Sequence, residues 1–64
     1  MKRSGKCIRQ LRKERGWTQR DLSIRTGIHA PTLSQIENGI VKLWPGYALR
    51  IARAFGVPVE EVAS

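Results

Sequence analysis

Glycine and proline cut this chain into short pieces, and that division constrains its fold more than any other feature. Gly16, Gly27, Gly39 and Gly56 each follow a helical-looking stretch, at the position where a left-handed residue ends a helix. Pro31, Pro45 and Pro58 each fall where a first helical turn would lie, and the N–H that proline lacks has no intrahelical partner there. The punctuation predicts five short helices. Helix 1 covers about 4–15, with Cys7, Ile8 and Leu11 three and four apart on one face. Helix 2 starts after Thr18 and runs to about Arg25; Thr18-x-x-Asp21 resembles a capping box with Asp in place of Glu or Gln. Helix 3 runs from about Ala30 to Asn38, with Leu33 and Ile36 inward. Helix 4 runs from about Pro45 to Phe55, with Ala48, Ile51, Ala52 and Phe55 on one stripe. Helix 5 covers about 58–63, with Val59 and Val62 apolar. The run Ile40 to Trp44 has some β-propensity, but Gly39 and Pro45 bound it and it reads as a loop. The fold class is all-α: one compact bundle of five short helices over residues 1–64, with residues 1–5 a basic arm.

Size and charge narrow the function. A chain of 64 residues buries only about 60% of its unfolded surface, which leaves no room for a large concave active site. Residues 1–25 hold nine Lys and Arg against Glu14 and Asp21, which accounts for the whole net charge of +7; residues 26–64 balance at three against three. A one-sided positive field suits a polyanion through counterion release. Cys7 is the single cysteine and His29 the single histidine, so neither an intramolecular disulfide nor a zinc site of ordinary spacing is expected. No apolar run approaches the ~18 residues of a membrane span, and the N-terminus lacks the apolar stretch of a signal peptide. The reading is a cytoplasmic protein without cofactor, metal or membrane. Paired carboxylates, a nucleophile–base pair and a phosphate loop are all missing, so an enzyme is the weakest reading.

The informative stretch is Gln19 to Asn38, QRDLSIRTGIHAPTLSQIEN. Two helices crossing steeply through a tight turn need a left-handed turn residue, supplied by Gly27, and a small residue for close approach, supplied by Ser23. Leu22, Thr26, Ile28, Leu33 and Ile36 form the shared seam. This arrangement resembles the lambda-repressor-like, or Xre, helix-turn-helix family of bacteria and phages. The residues that carry the resemblance are Ile8-x-x-Leu11-Arg12-x-x-Arg15-Gly16-Trp17-Thr18-Gln19-x-x-Leu22, Gly27-Ile28, Leu33-Ser34-Gln35-Ile36-Glu37-Asn38-Gly39 and Ile51-Ala52-x-Ala54-Phe55-Gly56-Val57. They cover about residues 6–63.

The resemblance implies a protein of the bacterial or phage nucleoid that binds double-stranded DNA with helix 3 in the major groove. On that frame His29, Ala30, Pro31, Thr32, Ser34 and Gln35 face the bases or their rim. Gln35 is the residue expected to contact a base directly, because its amide can bond adenine bidentately. Gln19, Arg20, Arg9, Arg15, Asn38, Gly39 and Lys42, with the arm residues Lys2, Arg3 and Lys6, are expected at phosphates, which position a protein without reading sequence. Arg12 and Glu37 match a family pair that joins helices 1 and 3 in a partly buried salt bridge. The family implies a homodimer on a two-fold operator. Its interface is expected at Val57, Val59 and Val62, and Trp44 and Tyr47 belong either to that seam or to the core.

Three positions depart from the family pattern. Ala30 replaces a polar residue that bonds the helix 2 glutamine and an adenine, which shifts base readout toward Gln35 and Ser34. The loop KLWPG carries its proline two residues late, and Ile24 is apolar where a charged residue is usual. Cys7 reads as a small core residue and Trp17 as the seal of the helix 1–2 corner; His29 either caps helix 3 or lines the phosphate rim. The alternative to a transcriptional regulator is an antitoxin or protein-binding adaptor that offers Ile24, Ile40, Val41 or Trp44 to a toxin or other partner. Charge alone supports a third reading, RNA or nonspecific nucleoid binding.

Overall fold

The structure is a computed structural model that describes the backbone of residues 5–62 and the side chains of residues 8–62. Residues 1–4 of the expected arm, the phosphate contacts of Lys2, Arg3 and Lys6, and the core placement of Cys7 lie outside these limits, while Gly5, expected in the arm, begins the first helix. Four α-helices follow one another: α1 (Gly5–Glu14), α2 (Gln19–Thr26), α3 (Ala30–Glu37) and α4 (Pro45–Phe55). A 3₁₀ turn, Val59–Glu61, follows them, and the described residues include no strand.

Each boundary has a local cause. Thr18 Oγ1 accepts from the Asp21 N–H at 3.0 Å while Asp21 Oδ2 accepts from the Thr18 N–H at 2.9 Å, so a complete capping box starts α2. These bonds from Thr18 also hold the Asp21 carboxyl below its ordinary pKa. Gly27, at φ 74°, ends α2 and donates its N–H to the Ser23 carbonyl at 2.8 Å. Pro31 and Pro45 sit in the first turns of α3 and α4.

The expected fifth α-helix is the one element that differs. Among the described residues, the backbone bonds there are Glu61 N to Pro58 O, 2.9 Å, and Val62 N to Val59 O, 3.1 Å, both of the i→i+3 kind. Three residues after a proline cannot recover the cost of nucleating an α-helix. Burial of Val62, at 0% exposure, holds the turn against α4 instead.

Ile8, Leu22, Leu33, Ile36, Ile51 and Val62 are the large, fully buried side chains. They bring one face of every helix to a single core. Val62 therefore belongs to the protomer's own core and not to an interface, a correction to the dimer seam expected from sequence. Val57, Val59 and Tyr47 are partly buried against the same cluster. Trp17 seals the α1–α2 corner by stacking on Phe55, with centroids 5.3 Å apart and planes 11° from parallel. Arg25 lies over the Trp17 ring at 4.2 Å.

Candidate nucleic-acid interface

The turn between α2 and α3 is tied by side chains as well as by glycine. Ser23 Oγ donates to the Ile28 carbonyl. Thr26 Oγ1 donates to the Leu22 carbonyl at 2.8 Å and accepts the Ile28 N–H at 3.1 Å. Thr26, read from sequence as part of an apolar seam, is a buried polar clasp. A threonine hydroxyl can bond the carbonyl four residues back, and its position just before the left-handed glycine was the available signal.

This turn holds α3 with one side in the core and the other free. Leu33, Ile36 and Glu37 are buried. His29, Pro31, Gln35 and Asn38 are exposed, while Ala30, Thr32 and Ser34 are half-exposed. No other part of the described chain walls off this outer side. His29 occupies the N-cap position, but its side chain makes no capping bond, so that part of the sequence expectation does not hold. An imidazole lacks the short oxygen that reaches the N–H of the second or third helical residue.

The inner side carries a polar hub. Glu37, only 2% exposed, accepts from Arg12 twice, at 2.9 Å from Nε and 3.0 Å from Nη2. It also accepts from Gln19 Nε2 at 3.1 Å and from Arg9 Nε at 3.4 Å. Burial pushes the Glu37 carboxyl up, but Arg12, Gln19 and Arg9 together outweigh it and hold the group below its ordinary pKa. Arg12 also donates to the Trp17 carbonyl at 3.0 Å. The hub thus ties α3 to α1 and to the start of α2.

The residues expected at phosphates separate into two groups. Arg20, Asn38, Gly39 and Lys42 are exposed, the last with Nζ 4.8 Å from the Trp44 ring centroid. Gln19 and Arg9 are engaged with Glu37. Arg15 is exposed as well, but it also has a partner within the protein. Its Nη2 donates to the Phe55 carbonyl at 2.6 Å, and its guanidinium lies 5.0 Å from the Phe55 ring centroid, so it clamps the end of α4. Neither this clamp nor Arg25 over Trp17 has a local sequence signal: Arg15 and Phe55 are 40 residues apart, and Trp17 meets Arg25 only through the way the chain enters α2.

A short helix held proud of a core by a tied glycine turn, with polar side chains outward and cations around it, defines a DNA-binding helix-turn-helix domain. The family described as Helix-turn-helix matches residues 8–62, and the chain belongs to this Xre-like family. It is 33% identical over 58 residues to the competence pilus inhibition repressor of Acinetobacter baylyi, a match covering 91% of this chain and 53% of that protein. The chain therefore spans about half the length of this curated relative. Among solved structures, the restriction-modification controller protein C.AhdI from Aeromonas hydrophila superposes with a TM-score of 0.87 at 24% identity. That match covers 91% of this chain and 88% of the controller and establishes the shared fold. Among the described residues, no helix is long and apolar enough to cross a membrane.

Proposed function

We propose that this chain is a sequence-specific transcriptional repressor, a single helix-turn-helix domain that binds a two-fold operator in the bacterial cytoplasm as a homodimer. The observation that carries this reading is the outer side of α3, where Gln35 stands exposed on a helix whose inner side is bolted to α1 and α2 through buried Glu37. A reader must be both reachable and rigidly placed, because a base-edge hydrogen bond tolerates little misalignment. The repressor name of the Acinetobacter relative favours repression over activation.

A two-fold site with half-sites one helical turn apart calls for two copies. The largest Cα extent of one domain is 27 Å, short of the roughly 34 Å between half-sites one helical turn apart. With Val62 committed to the core, the large apolar side chains left exposed outside α2 are Ile40, Trp44 and Leu49, at 72%, 54% and 52%, and a two-fold seam would draw on these. Beside them Trp44, Gly46, Tyr47 and Arg50 line a concavity of about 350 Å³. A second reading, an antitoxin or adaptor, rests on Ile24, which is 75% exposed on α2.

Selection of bound duplexes from a random pool tests the proposal, and a two-fold-symmetric consensus is the expected outcome. Gln35→Ala should then relax preference at one position by ~1–3 kcal/mol. Lys42→Ala should weaken all duplexes alike and lower the salt slope by about one. Identical behaviour of the two variants would remove α3 as the reader.

A further inference from the structure

The trailing end of α3 holds an amide whose orientation is forced by its partner. A guanidinium only donates, so Asn38 must turn its Oδ1 toward Arg9 Nη2, 2.6 Å away. Arg9 is itself held by a second contact, Nε to Glu37 Oε1 at 3.4 Å, with its side chain 37% exposed. With Oδ1 occupied, Asn38 leaves its NH₂ open. Asn38 is exposed and follows Gln35 by three residues, which puts both on one side of the helix. Two N–H donors beside the reading side suit phosphate oxygens, which only accept.

We infer that Arg9 is a positioning residue: by capturing Asn38 Oδ1 it fixes the NH₂ end of that amide toward the DNA backbone, and it does not itself neutralise a phosphate. This rests on the DNA-binding reading above. It replaces the sequence expectation that Arg9 and Asn38 are two independent phosphate contacts. Without Arg9 the amide is free to turn, and a phosphate must itself bring the NH₂ end round against that freedom.

The test measures affinity against salt for the selected duplex, together with the side-chain amide signals of the free protein by NMR. Arg9→Met should weaken binding about tenfold, the scale of one hydrogen bond to a charged group, without changing the slope of affinity against salt. In an Asn38→Ala background, Arg9→Met should cost nothing further, because its effect runs through Asn38. Asn38→Asp should stay folded, keep its Arg9 partner, and bind every duplex at least about tenfold more weakly. Independent, multiplying losses with a slope lowered by about 0.9 would make Arg9 a phosphate contact and overturn the inference. The order parameter of the Asn38 side-chain NH₂ group should be high in the wild type and fall in Arg9→Met. A freely turning amide in the wild type overturns the inference alone. A fixed amide in a wild type that binds no duplex overturns the DNA-binding reading and the inference together.

Discussion

At its leading end α3 begins with His29, Ala30 and Pro31, and no side chain caps the first turn. At its trailing end Glu37 alone accepts from three side chains on two other helices, and Asn38 accepts from one of the same three, Arg9. Helix termini ordinarily satisfy their orphan backbone groups with caps. Here the tip is left open and the root is over-tied. The open tip leaves the first-turn N–H groups and the positive end of the helix dipole to whatever approaches, which suits an anionic ligand. The root sets the angle at which that tip is presented. Among the described residues, no buried side-chain polar atom lacks a partner, so the cost of placing a carboxylate inside is met by hydrogen bonds at the root.

Removing the root should have the largest effect. Glu37→Ala leaves Arg12 with a side chain only 12% exposed and no carboxylate partner. The expected loss is about 3–5 kcal/mol, most of the stability of a domain this size, measured by urea unfolding near neutral pH. A loss under about 1 kcal/mol, the range of an exposed pair, would erase the distinction between root and tip.

Acid should produce a smaller version of the same effect. The folded-state pKa of Glu37 lies below its ordinary 4.5. Its contribution to stability is therefore full above that value and is lost as pH falls through the folded pKa, because the unfolded chain takes up the proton first. Asp21, held low by Thr18, acts in the same direction. Glu37→Gln should flatten the acid limb of a stability–pH curve relative to wild type. An unchanged limb would show that other carboxylates dominate it.

Capping the tip should have the smallest effect on stability and an opposite effect on binding. His29→Asp supplies the missing cap and should raise stability by about 1 kcal/mol. The same carboxylate occupies the N–H groups and repels phosphate, so affinity for the selected duplex should fall. A variant that gained stability and kept its affinity would show that the open tip has no part in binding.

The existence and order of α1 to α4 were legible in the chain through local boundary signals, whereas the expected fifth α-helix is only a 3₁₀ turn. Thr18 and Asp21 face each other across one turn, and Gly27 and Pro31 act through their own backbone limits. The Arg12–Glu37 pair was legible only through the family resemblance. Arg9 on Asn38, Arg15 on Phe55 and Arg25 on Trp17 had no signal. The first two join residues whose proximity depends on how separate helices pack, the third depends on the path of the α1–α2 corner, and a surface arginine reads alike whether it meets solvent, a ring or a carbonyl. Val62 was misplaced for a related reason. A valine at a chain's end suits an interface as well as a core, and only the path of the 3₁₀ turn decided between them.

Backbone chemistry and hydrophobic spacing act within a few residues, so the sequence by itself determined the four helices, the glycine corner and the inward stripe of α3. The tertiary structure decided which cations meet a partner within the protein, as Arg9, Arg12, Arg15 and Arg25 do, and it turned the Asn38 amide one way. Those outcomes depend on distances between elements far apart in the chain, and only packing sets such distances.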